Sequence, residues 1–76
     1  MADEFTIENQ TVEAITVRHV WQGHRYTFRV WNQPCGRVLR AGLMQENEKA
    51  PLPVAAYSSL ARAFAEREAR KADLID

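Results

Sequence analysis

The chain is poor in the residues that carry covalent staples or recognisable chemistry. A single cysteine, Cys35, among 76 residues excludes an internal disulfide, and an unpaired thiol fits a reducing, cytoplasmic setting. No Gly-rich phosphate loop, G-x-S-x-G, H-E-x-x-H or paired-cysteine motif occurs. No apolar run approaches the roughly 18 residues a membrane-spanning helix needs, and no signal-peptide pattern opens the chain. Repeats and low-complexity tracts are missing as well. These absences point to a soluble, non-enzymatic protein with no cofactor and no membrane partner.

Size sets a further bound. There is room for one small domain and no second core. A core this small supplies ~3–5 kcal/mol, and self-association is a common route to the remainder.

Acidic residues are missing from the middle of the chain. Residues 14–42 hold Arg18, Arg25, Arg29, Arg37 and Arg40 without one Asp or Glu, while residues 1–13 hold Asp3, Glu4, Glu8 and Glu13 without one Lys or Arg. The net charge of zero hides this division. Neutrality overall argues against a dedicated nucleic-acid binder, and the all-Arg middle argues for one.

What is present is a strong hairpin signal. Twelve of the twenty-two residues from Thr11 to Asn32 are Val, Ile, Thr, Tyr, Phe or Trp, types that suit a pleated, half-buried surface. The interruption is Gln22-Gly23, where Gly tolerates the positive φ of a tight turn. A two-residue loop there pairs Trp21 with His24, Val17 with Phe28 and Arg18 with Thr27; a slightly longer loop also fits. Side chains alternate, so Ile15, Val17, His19, Trp21, His24, Tyr26, Phe28 and Val30 share one face. Thr16, Arg18, Val20, Arg25, Thr27, Arg29 and Trp31 share the other.

Around this hairpin (residues 11–21 and 24–32) the rest falls into place. Residues 1–10 are loose or contain a short strand at Phe5-Thr6-Ile7, turning at Asn9-Gln10 and placing Phe5 and Ile7 on the face of Ala14 and Trp31. After the turn formers of 32–36, residues 37–44 return as a strand with Leu39, Ala41 and Leu43 inward. Residues 45–53 form a polar, proline-ended loop. A helix follows over 54–73, begun by Pro53 at its first turn or by Ser58 as a cap. Its stripe of Tyr57, Leu60, Ala61, Phe64, Ala65, Ala72 and Ile75 would cover the apolar face of the hairpin. Leu74 and Ile75 have no evident place in that core and are left to fray, fold back or meet a partner. The fold class is α+β: an antiparallel sheet of three strands, or four if the first segment pairs, with one C-terminal helix on one face.

Three constellations are candidate sites. His19, His24 and Cys35 are the residue types of a metal centre, but such a centre needs three or four converging ligands, and rim or turn roles account for all three residues. Trp21, His24 and Tyr26 at the hairpin tip lie beyond the reach of the helix, and exposed aromatics there suit a protein partner or a symmetric homodimer. Arg18, Arg25 and Arg29 with Trp31 offer guanidiniums for phosphate or carboxylate and a ring for a base. That face is otherwise solvated, or neutralised by acids of the N-terminal segment or of the 46–48 loop. The leading expectation is a small bacterial-type accessory or regulatory protein acting through protein–protein contact, with nucleic-acid binding as the alternative.

Overall fold

A computed structural model describes residues 4–76. Four antiparallel strands follow one another in space as in sequence: β1 (Phe5–Gln10), β2 (Ala14–His19), β3 (Arg25–Gln33) and β4 (Gly36–Gln45). A 3-10 turn (Val54–Tyr57) leads into the helix α1 (Ser58–Lys71), which lies over β2 and β3. This is the expected α+β class, with the first segment a full strand of the sheet. Residues 1–3 of the expected loose opening lie outside the described residues. No helix among the described residues is long and apolar enough to cross a membrane.

The β2–β3 hairpin differs from the two-residue turn by two positions. Val17 pairs with Tyr26 and Ile15 with Phe28, and the loop spans residues 20–23, closed by the His19 amide donating to the His24 carbonyl at 2.8 Å. The His19 ring decides this, because its Nδ1 accepts the amides of Trp21 and Gln22 at 3.2 and 3.0 Å. A shift of two leaves every side chain on its face, since the strand period is two. Ile15, Val17, His19, His24, Tyr26 and Phe28 are accordingly all buried.

Phe5 and Ile7 lie on the opposite face from the one expected. They pair with His19 and Val17, so Phe5 enters the core, with its ring 5.7 Å from that of Phe64. Two features shift the register: a bulge between Ile7 and Asn9, and a turn at residues 11–13 rather than 9–10. There the Thr11 hydroxyl accepts the Glu13 and Ala14 amides at 3.2 and 3.1 Å.

β4 buries Leu39 but not Ala41 or Leu43, contrary to strict alternation. Between the pairs Tyr26–Met44 and Phe28–Ala41 the register slips by one, so Gly42 and Leu43 together oppose Thr27. Such a bulge reverses the alternation beyond it and turns Leu43 outward. Ala41, ahead of the bulge and opposite Phe28, keeps the parity of Leu39 and is exposed on that same face. Gly42 is required there, because a Cβ would sit 2.8 Å from the Thr27 carbonyl oxygen.

The helix buries Ala61, Ala65 and Ala69, one ridge at a spacing of four, while Leu60 stays largely exposed. Small side chains on this ridge let the helix backbone approach the sheet closely. Along the helix Arg62 meets Glu66 at 3.8 Å, and Arg70 donates to the Asp76 carbonyl at 3.3 Å.

The chain then turns back instead of leaving. Asp73 adopts a left-handed φ of 61°, the Leu74 amide donates to the Ala69 carbonyl at 2.8 Å, and the Asp73 amide donates to that of Arg70 at 3.1 Å. This pair of bonds is the Schellman closure of a helix C-terminus. It delivers Leu74 and Ile75 into the core, so of the three outcomes left open for this end the structure shows the fold-back.

Candidate functional site

The sheet face turned away from α1 is covered by no other element among the described residues. Alternation from the buried residues places Thr16 and Arg18 of β2, Arg25, Thr27, Arg29 and Trp31 of β3, and Val38 and Arg40 of β4 on it. Its pairs fall in rows. Arg18 stands directly opposite Arg25, Thr16 opposite Thr27, Arg29 opposite Arg40, and Trp31 opposite Val38.

Two of those rows set arginine against arginine, and like charges directly opposite one another destabilise a sheet. The structure relieves one of the two. Glu8 places both carboxylate oxygens on Arg25 Nε, at 2.9 and 2.7 Å. This is the self-neutralisation foreseen from the N-terminal acids. The 46–48 loop supplies none, since Glu46 instead accepts the Val54 amide at 3.0 Å. In the row between, the Thr16 and Thr27 hydroxyls share a hydrogen bond of 3.1 Å.

The Arg29–Arg40 row has no acid bonded to it among the described residues. The Arg40 guanidinium lies 4.3 Å above the Trp31 ring, a cation–π contact that holds it over the sheet. Hollows of about 590 Å³ lie on either side of this stack. One is lined by Gln33, Val38 and Arg62, the other by Glu13, Arg29 and Gly42.

Arg40 is the member of this face that hairpin alternation alone does not include. The pairing of Trp31 with Val38 puts it beside the ring, and that pairing depends on where the β3–β4 turn falls. Arg37, by contrast, is on the helix side, bound to Asp73 and Asp76 at 3.3 and 3.0 Å.

The hairpin tip is not the open aromatic patch expected from the reach of the helix. Trp21 is 70% exposed, but His24 and Tyr26 are fully buried. The 46–53 loop covers them. His24 Nδ1 accepts the Asn47 amide at 3.0 Å, its Nε2 lies 2.8 Å from the Leu52 carbonyl oxygen, and the Tyr26 hydroxyl donates to the Val54 carbonyl at 2.6 Å. Burial pushes the Tyr26 phenol up, and Tyr57 adds to that, so the hydroxyl remains a donor.

His19, His24 and Cys35 do not converge. The two rings sit at the tip, and Cys35 is exposed in the β3–β4 turn at the other end of β3. Among the described residues no group of three potential ligands could hold a metal ion.

No family model, curated protein or solved structure matches this chain. Its reading therefore rests on the geometry.

Proposed function

We propose that this chain is a non-enzymatic binding module that takes a polyanion, single-stranded nucleic acid foremost, on its uncovered sheet face. The observation that carries the reading is the pair of arginine rows, Arg18–Arg25 and Arg29–Arg40, on a face that no other element covers among the described residues. Opposed guanidiniums repel, and a bridging phosphate turns that repulsion into attraction. Along β3 the two rows are four residues apart, about 13 Å at the rise of a strand. A hydroxyl pair lies between them and an aromatic ring beyond. Charge that tracks a backbone, with a ring on which a base can stack, is how single strands are held without sequence preference. The unpaired Cys35 is consistent with a reducing, cytoplasmic location.

A protein partner or a homodimer is the second reading. It is favoured by Trp21, exposed beside a half-exposed Val20 at the tip. Two features that suggested it from sequence no longer speak for it, because His24 and Tyr26 lie under the loop and Leu74 and Ile75 in the core.

Fluorescence anisotropy with labelled oligonucleotides at ~50 and ~200 mM salt tests the leading reading. With Arg25 held by Glu8, three phosphate contacts at a slope of about −0.7 each for single strands weaken affinity by roughly 20-fold across that range. The double substitution Arg29→Gln/Arg40→Gln should cut the slope by about two-thirds. No binding at either salt, or a double variant that binds like the parent, overturns the reading and leaves Trp21 as the surface to pursue.

A further inference from the structure

His19 and His24 are cross-strand neighbours that close the β2–β3 loop, and both side chains are buried. Each presents Nδ1 to a backbone amide: Trp21 and Gln22 on His19, Asn47 on His24. A ring nitrogen that accepts a hydrogen bond carries no proton, so both imidazoles are neutral with hydrogen on Nε2. The His24 Nε2–H donates to the Leu52 carbonyl at 2.8 Å. The His19 Nε2 is buried without a hydrogen-bond partner among the described residues.

The two rings are joined by one chain of hydrogen bonds. The Gln22 amide donates to His19 at 3.0 Å, the Gln22 carbonyl accepts Asn47 Nδ2 at 2.8 Å, and the Asn47 amide donates to His24 at 3.0 Å. Gly23 makes room for it, since a Cβ there would lie 2.7 Å from Asn47 Nδ2. Two segments without sheet pairing, residues 20–23 and 46–53, thus each rest on an imidazole acceptor, His19 for the first and His24 for the second, and meet directly at the Asn47 Nδ2 bond to Gln22.

We propose that His19 and His24 form an acid-sensitive latch, in which protonation of the rings frees the 46–53 loop from the hairpin tip while the sheet persists. A proton on Nδ1 turns the acceptor into a donor facing another donor, so the bonds from Asn47 and from Trp21 and Gln22 are lost together. The His24 bond to Leu52 survives protonation, because Nε2 remains a donor. The loop therefore opens from its Asn47 end. Opening bares the His24 and Tyr26 rings beside Trp21.

The groups around the latch set where it acts. Glu4, just ahead of β1, favours the charged form of His19, and His24 disfavours it. From the 3-10 turn, Tyr57 places its ring 4.3 Å from that of His19. The loop contributes Glu46, held on the Val54 amide, and the exposed Glu48 and Lys49. Burial lowers His19 below its ordinary 6.5, Glu4 pulls it back up, and His24 lowers it again.

Backbone hydrogen exchange of the full chain at pH 7.5 and 5, corrected for the intrinsic rate, tests the latch. The Trp21, Gln22 and Asn47 amides should lose at least tenfold in protection at the lower pH, well beyond any loss at the amides of the β2–β3 ladder. In His24→Asn the amide oxygen can accept in place of Nδ1 without titrating, so the Asn47 amide should lose its pH dependence while Trp21 and Gln22 retain theirs. Imidazole nitrogen shifts of the parent protein provide a readout that needs no variant, and should show the Nε2–H form at pH 7.5. Unchanged protection at pH 5, or loss that is uniform across the sheet, overturns the latch.

Discussion

The Asp76 carboxylate accepts the backbone amide of Arg37 at 2.7 Å, and its other oxygen meets the Arg37 guanidinium at 3.0 Å. The Asp76 amide in turn donates to the Arg37 carbonyl at 3.2 Å. The end of the chain thereby pairs with the first residues of β4 and occupies part of an edge that would otherwise be open. Farther along the same strand, Arg62 donates to the Leu39 carbonyl at 2.8 Å. Edge strands left bare recruit other chains, and these two contacts blunt this one.

Ile75→Ala should therefore act as a core substitution and not as an end effect. The side chain is buried, and Ile→Ala at such sites costs about 2–5 kcal/mol. Urea denaturation measures it. A change under ~0.5 kcal/mol would mean that the terminal return contributes nothing to stability.

Acid should destabilise the whole fold through His19. Burial, the largest influence, holds its folded value below the ordinary 6.5, against the pull of Glu4. The unfolded chain then takes up the proton first, so stability is full above 6.5 and is lost as the pH falls below it. Asp76 extends the loss at lower pH, because its bonds from the Arg37 amide and guanidinium hold it below its ordinary 3.8. Denaturation midpoints at pH 7.5, 6.5 and 5.5 should decline in that order, and a midpoint that rises toward pH 5.5 would contradict the sign.

Gly42→Ala should strain the β4 bulge. The added carbon would press on the Thr27 carbonyl, a backbone atom held by the sheet, at 2.8 Å. Overpacking of this kind costs about 1–3 kcal/mol. A variant as stable as its parent would show that the bulge can relax.

Trp21→Ala should leave the fold as it is. The ring is mostly exposed, and surface changes usually stay within about ±0.5 kcal/mol. Thermal melting reads the stability, and sedimentation reads any change in assembly. A large drop in melting temperature would place Trp21 among the supports of the core.

Apolar residues at every second position marked the faces of β2 and β3, and those faces survive even though the loop is two residues longer. Parity is insensitive to a shift of two. The same logic failed on β4, where the Gly42–Leu43 bulge changes parity partway, and Leu43 emerges 70% exposed. It failed again for Phe5 and Ile7, since the bulge in β1 depends on strand pairing and the turn on local bonds to the Thr11 hydroxyl, neither of which alternation reports. The arginine face was visible through Arg18, Arg25, Arg29 and Trp31. Arg40 joins it only once β4 is laid beside β3.

Local pattern by itself determined the class of the protein, its central hairpin, the sides on which its apolar and arginine residues fall, and the C-terminal helix. These follow from periodicity and turn chemistry, which act over a few residues. Tertiary structure decided the rest: that the 46–53 loop buries His24 and Tyr26, that Leu74 and Ile75 turn back into the core, and that Glu8 neutralises Arg25. Each of these joins residues far apart in sequence. Their contacts form only after the sheet has set the distances, because a hydrogen bond or ion pair needs its partners within a few tenths of an ångström.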